Sequence, residues 1–192
     1  MNNFRESITI READEAEQEA VRSVMLEAYG QYADLFPAEV WKKYQHEIGS
    51  SVSGEGTIAR LVAEIDGDII GSVQLYPSSE AAYRGTDMGI NSPVIRFLCV
   101  SRRARGKGVA TALIEEVVKR SLAIGASYLY LHTIDMMASA IRLYKRMGFE
   151  RAYEKEYHNG LHLVKCYRLS LSQAKRVDAA ELMVLIRPEI GI

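Results

Sequence analysis

Residues 98–118 read LCVSRRARGKGVATALIEEVV, an apolar strand candidate that passes through a basic, glycine-containing turn directly into a helix. Ala110, Leu113, Ile114, Val117 and Leu122 recur at helical spacing, so the stretch from Gly108 to about Ala123 must bury one face against a sheet. No Ser, Thr, Asp or Asn stands next to its start to act as a cap. The first N–H groups and their partial positive charge therefore await a partner from outside the chain. Gly106 and Gly108 allow close approach to the backbone, and Arg103, Arg105 and Lys107 add mobile positive charge. Such a helix start is a phosphate seat. It matches neither common nucleotide motif. No Lys-Ser or Lys-Thr completes a GxxxxGK[ST] pattern, and Thr111 stands where the third glycine of GxGxxG belongs, which argues against a nucleoside triphosphatase or a dinucleotide enzyme.

Around this unit the chain alternates strands and helices. Ser7 to Arg11 is a strand candidate, and Ala13 to Tyr29 a helix with Ala16, Ala20, Val24 and Ala28 on one face. A second helix over FPAEVWKKYQHEI carries Val40, Trp41, Tyr44 and Ile48 on its apolar side, with Pro37 in its first turn. Gly49 to Gly56 is a loop. Asp66-Gly67-Asp68 between two apolar runs marks a tight hairpin. A polar connection from Pro77 to Asn91 leads to the strand PVIRFLCV. After the helix from Gly108 come the strand YLYLHTI, a helix around ASAIRLYKRM closed by Gly148, and strands near 150–157 and 161–171 joined at His158-Asn159-Gly160. The order is β-α-α-β-β-β-α-β-α-β-β, an α/β domain with a mixed sheet flanked by helices.

With 192 residues, 48% of them hydrophobic, the chain is long enough for one full core, and one domain is the default. Its formal net charge of -1 makes the cluster at Arg102, Arg103, Arg105 and Lys107 a local feature, unlike the broad basic footprint of a nucleic-acid binder. Cys99 and Cys166 sit in apolar runs and read as small core residues, with neither a disulfide framework nor a metal site implied. The N-terminal segment mixes charges throughout and reads as neither signal peptide nor membrane span, so a cytoplasmic protein is expected.

Arg103, Gly106 and Gly108 match (Gln/Arg)-x-x-Gly-x-(Gly/Ala), and Ala140, Leu143, Tyr144, Gly148 and Phe149 match a helix-to-strand motif further on. In both motifs, and over about residues 7–171, the sequence resembles the GNAT acetyltransferase family. The resemblance implies a GNAT acetyltransferase domain over 1–171, with 172–192 as an extension packed on the domain or on a partner subunit. It also implies acetyl-CoA as co-substrate and an amine, on a small molecule or a peptide, as acceptor; neither nucleic acid nor membrane is an expected partner. The cofactor-binding residues it implies are Leu98, Cys99, Val100, Arg103, Arg105, Gly106, Lys107, Gly108, Val109 and Ala110. Backbone N–H groups between Arg103 and Gly108 would hold the pyrophosphate, Leu98 and Val100 would pair with the pantetheine arm, and an N–H near Leu98 or Cys99 would stabilise the oxyanion. Tyr144 is the implied catalytic residue, protonating the leaving thiolate; its helical spacing with Met137, Ala140 and Ile141 would equally suit a core residue.

Two positions depart from the family. Met137 replaces a frequent Asn, leaving Asp135 or Ser139 to supply that polar contact. The strand before the seat carries Ile95, Arg96 and Phe97 where a carboxylate often acts as base, and Arg cannot accept a proton at neutral pH. Glu80, Asp87 and His132 are the substitutes. Arg96 itself is expected to pair with an acid such as Glu154, or to meet an anionic group on the acceptor. An acyl-CoA-binding module without catalysis is the alternative to an enzyme, and a phosphate-contacting nucleic-acid patch is a third reading that the net charge disfavours. The acceptor is expected near Tyr29 to Phe36 with its Asp34, the 77–91 connection and the His158 to Gly160 turn. In the tail, Leu182 to Ile186 is apolar and follows Asp178, an N-cap candidate. Such a run must be covered within the subunit or across a homodimer.

Overall fold

In the computed structural model, residues 8–84 and 88–172 are described. In chain order they form β1 (Thr9–Glu12), α1 (Gln18–Tyr29), α2 (Ala38–Ser51), β2 (Ala59–Ile65), β3 (Asp68–Tyr76), α3 (Ser79–Ala82), β4 (Val94–Val100), α4 (Val109–Ala123), β5 (Tyr128–Thr133), α5 (Ala138–Arg146), β6 (Glu150–Arg151), β7 (Tyr157–His158) and β8 (Leu163–Ser170). This is an α/β fold in which the sheet is mostly antiparallel and β4 and β5 run parallel. The residues divide into two compact units. One holds the residues up to Leu75 with Phe97–Glu116, and the other Tyr76–Arg96 with the residues from Val117 onward.

In the first unit β1 pairs with β2 and β2 with β3, all antiparallel. The β2–β3 hairpin turns through Asp66 (φ 52°) and Gly67 (φ 84°), as the Asp-Gly-Asp signal requires. Arg11 ties β1 down by hydrogen bonds to Glu17 (2.7 Å) and Glu64 (2.6 Å). The first helix differs from expectation. Ala16 and Ala20 are exposed, while Val21, Met25, Ala28 and Tyr29 are buried. An alanine stripe has little area to gain from burial, and the helix turns its larger side chains inward instead. Residues Glu15–Glu17 form a short 3-10 turn ahead of α1. The second helix runs three residues further than its apolar pattern, taking in Gly49 to Ser51 from the expected loop; Ser50 and Ser51 hydroxyls donate back to the Glu47 and Ile48 carbonyls.

In the second unit β5 pairs antiparallel with β8, which also carries β6 and β7. A buried cluster of Tyr76, Ala82, Ile90, Val94, Tyr130, Ala152 and Cys166 forms its core. The expected 77–91 loop contains α3, capped by the Ser78 hydroxyl accepting from the Ala81 N–H (3.3 Å). The strand expected over 150–157 is broken into β6 and β7 by a 3-10 turn at Tyr153–Lys155. Gly148 (φ 82°) ends α5, and the Phe149 N–H closes the cap on the Tyr144 carbonyl. Both cysteines are buried and unbridged. The tail expectations at Asp178 and Leu182 to Ile186 lie outside the described residues.

Candidate active site

Strand β4 carries a local irregularity that its sequence does not announce. Phe97 adopts φ 53°, left-handed backbone in the middle of a strand and rare for a bulky residue. Its ring is buried beside Tyr44, with centroids 6.4 Å apart, which holds the kink in place. Before the kink β4 pairs with β5 at Val94↔Tyr130 and Ile95↔Leu131. After it the backbone belongs to the first unit. There the Ser101 N–H donates to the Ile70 carbonyl (2.8 Å), so residues of that parity face β3, Cys99 among them. Alternation turns the N–H and C=O of Leu98 and Val100 the other way. The Leu98 carbonyl accepts from the Tyr29 hydroxyl at 3.1 Å. Burial pushes the Cys99 thiol up to about 11, against hydrogen bonding with Ser72, so it is inert.

Beyond β4 the chain makes a 3-10 turn at Arg102–Ala104, then passes through Gly106 (φ 75°) and Gly108 (φ 85°) into α4. Positive φ at alternate residues curls successive N–H groups around one concavity, the geometry that receives anions. A side chain added at Gly106 would meet no atom within 4 Å, so the turn is open above its backbone. Close packing fixes the helix behind it. A Cβ on Gly71 of β3 would stand 2.9 Å from the Cys99 carbonyl oxygen, 3.1 Å from Val109 Cγ1 and 3.4 Å from Leu113 Cδ1.

The basic side chains of the seat are oriented by neighbours in the same unit. Arg103 donates to Asp68 (3.0 Å), an exposed pair of little energetic weight that a phosphate can displace. Arg105 donates to Gln31 Oε1 (3.0 Å). The Arg102 N–H donates to a Glu27 carboxylate oxygen (3.0 Å). Burial alone would raise the Glu27 carboxyl, but the Arg102 N–H, the Ser101 hydroxyl and the charges of Arg102 and Arg105 hold it below its usual range. Gln31 and Glu27 did not stand out in the sequence; both follow from α1 ending beside the seat. The ten residues expected from Leu98 to Ala110 thus lie along one continuous path in the first unit.

Of the other expected residues, Tyr29 to Phe36 with Asp34 lies in the first unit, where Gly30–Leu35 forms a 3-10 turn after α1, and the catalytic residue and candidate bases belong to the second. Tyr144 is buried, with ring centroids 5.8 Å from Phe149 and 6.5 Å from Tyr167. Met137 is the residue at which α5 begins, its carbonyl accepting from the Ile141 N–H (3.0 Å). Asp135 pairs with Lys165, and the Ser139 hydroxyl accepts from Arg142 (3.0 Å). Glu80 is exposed in the first turn of α3, and Asp87 lies outside the described residues.

Arg96 does not pair with Glu154. It donates to the Ala82 carbonyl and lies over the Tyr83 ring, 4.6 Å from its centroid, while Glu154 pairs with Arg168 (2.7 Å). A cation on a central strand is costly to bury alone, and this carbonyl and aromatic face are two of the groups that take it up. Below them, His132 Nε2 lies 3.1 Å from the Lys155 carbonyl oxygen and Nδ1 2.8 Å from the Tyr83 hydroxyl. Tyr83 was hidden in the sequence because it lies in the connection read as a loop. Among the described residues no group of three His, Cys, Asp or Glu side chains is placed to hold a metal, and no helix is long and apolar enough to cross a membrane.

The order of elements, the kinked β4 and the glycine turn at the start of α4 define an acyltransferase-type α/β fold. The chain belongs to the acetyltransferase (GNAT) family, whose model matches residues 18–149. It is 27% identical to N-acetyltransferase 8B of Homo sapiens over 146 residues, 73% of this chain and 59% of that protein. It is 29% identical to the L-amino acid N-acetyltransferase AaaT of Escherichia coli over 152 residues, 74% of this chain and 83% of that one. The chain spans about half the length of several other N-acetyltransferase relatives it matches. A crystal structure of a GNAT family acetyltransferase from Brucella melitensis in complex with acetyl-CoA has the same fold, with a TM-score of 0.58, 21% identity, and coverage of 85% of this chain and 87% of that one.

Proposed function

We propose that the protein transfers an acetyl group from acetyl-CoA to a primary amine by direct attack in a ternary complex. The observation that carries this reading is the anion seat of the first unit. Two left-handed glycines open directly onto the start of α4, among Arg103, Arg105 and Lys107. This donor set fits a pyrophosphate: backbone N–H groups from Arg103 to Gly108 would hold it, with Val109 and Ala110 beginning the helix behind it. Acetyl-CoA supplies an activated acyl thioester, and the protein supplies binding, orientation and proton handling.

In this reading Leu98 and Val100 offer backbone groups to the peptide-like arm, and the Leu98 N–H is the oxyanion donor, because the Cys99 backbone is turned to β3. Tyr144 donates its phenolic proton to the departing sulfur. The domain extends over 1–171, and the name of the Escherichia coli relative puts free L-amino acids first among acceptors to be tried.

A second reading, an acyl-CoA-binding module without catalysis, is favoured by Arg96 standing where a base is expected and by Met137 at the start of α5. One experiment separates them. Acetyl-CoA is titrated calorimetrically, and thiol release is then followed with the L-amino acids, simple amines and peptides with free N-termini. Binding with amine-dependent thiol release supports the enzyme; binding without it supports the module; no binding removes both.

A further inference from the structure

We propose that Tyr83 and His132 form a proton relay that accepts the proton of the attacking amine, a role that rests on the acetyltransferase reading above. The tautomer follows from the partners. The Lys155 carbonyl can only accept, so the hydrogen is on Nε2, and Nδ1 is left to accept from the Tyr83 hydroxyl at 2.8 Å. The imidazole is held at both nitrogens, and its ring is further fixed edge-on between Tyr83 (5.3 Å) and Tyr157 (5.7 Å).

Among the described residues, the groups that face His132 are Tyr83, Arg96 on β4, the Lys155 backbone, Glu156, Tyr157 and, opposite on β8, Cys166. Burial and then Arg96 lower the imidazole from its ordinary 6.5, against the Lys155 hydrogen bond and the Glu156 charge, so it is neutral and ready to accept at pH 7. The same Arg96 guanidinium lies 4.6 Å from the Tyr83 ring centroid, a contact that helps to hold the ring in place. The strand cation that replaces the usual carboxylate thus positions one member of the relay and lowers the imidazole of the other.

In the step itself, the amine nitrogen bonds to the acyl carbon and becomes a strongly acidic ammonium. Its proton passes to the Tyr83 oxygen while the phenolic proton passes to His132 Nδ1. The carbon–sulfur bond then breaks, and the thiolate is protonated by Tyr144. The imidazolium returns its proton to water through Tyr83, and the Tyr144 phenolate regains one from water. Counting the proton that the acceptor ammonium sheds to solvent before attack, one thiol, one amide and one proton are produced for each ammonium and thioester consumed.

The test uses Tyr83→Phe, His132→Gln and the double variant, with the best L-amino acid or amine of the panel as acceptor. Each single change should lower turnover about 100-fold, in the range of a lost general base. The double variant should lose no more than the worse single, because the two act as one unit. Acetyl-CoA affinity should stay within about twofold. The acidic limb of kcat/KM, with its inflection below 6.5 in the wild type, should vanish in His132→Gln. Tyr83→Phe keeps the ring under Arg96 and tests the relay even where His132→Gln fails to fold. Wild-type turnover with unaffected variants, or losses that multiply, overturns the relay alone. Acetyl-CoA binding without acetylation of any acceptor overturns the relay together with the enzyme reading.

Discussion

Gly106→Ala separates a phosphate seat from an ordinary turn. The added methyl meets no atom within 4 Å, so its structural cost is confined to holding alanine at φ 75°. Left-handed backbone costs a non-glycine residue about 1–2 kcal/mol. At roughly 2–4 °C per kcal/mol for a chain of this size, the melting temperature should fall by roughly 2–8 °C. Binding should suffer more. The methyl sits on the open side of the turn, where a pyrophosphate oxygen must approach the N–H groups, and each charge-assisted hydrogen bond lost costs about 1.5–3 kcal/mol. Losing one weakens acetyl-CoA binding about 10- to 100-fold. Differential scanning fluorimetry and calorimetric titration on the same preparation give both numbers. Acetyl-CoA affinity within about twofold of wild type, in a folded variant, would refute the seat.

Gly71→Ala should cost stability through packing. Its Cβ would press on the Cys99 carbonyl at 2.9 Å and on Val109 at 3.1 Å, an overpacking worth about 1–3 kcal/mol, so thermal unfolding should drop by roughly 2–12 °C. Tyr144→Phe keeps the ring against Phe149 and Tyr167 and should cut turnover about 10-fold or more with little change in melting temperature; equal turnover would return Tyr144 to the core. His132 binds a proton less readily folded than unfolded, so its contribution is neutral above about 6.5 and destabilising as pH falls below that value; a melting-temperature profile from pH 8 to pH 5 should be flatter in His132→Gln. Hydrogen bonds from Arg11 hold Glu17 at about 2, so the stability it lends is present above its ordinary 4.5 and is lost as pH falls toward 2; acid unfolding of Glu17→Gln should lack that component.

The parts of the fold legible in the sequence are those where local chemistry and packing agree. The Asp-Gly hairpin, the glycine that ends α5 and the βα unit around Gly106 and Gly108 each have residues with one conformational use. Features set by tertiary packing were not legible. The buried face of α1 is chosen by the volumes of Val21, Met25 and Tyr29, against the more regular alanine stripe. The left-handed Phe97 is a bulky residue in a strained conformation, held by its buried contact with Tyr44, and nothing local foretells it. The site divides the same way. The backbone seat follows from glycines and a helix start, whereas Tyr83 becomes visible only when its hydroxyl is found on His132 and its ring beneath Arg96.

The most direct test of the account is the coupling of thiol release to amide formation. Acetyl-CoA is incubated with the protein and each acceptor of the amine panel, and coenzyme A and the N-acetylated product are quantified from the same reaction by mass spectrometry. The account predicts one N-acetylated amine for each thiol released, with both lost in Gly108→Trp. Tight acetyl-CoA binding with no acetylated amine from any acceptor, or thiol release that proceeds equally without amine, would contradict it.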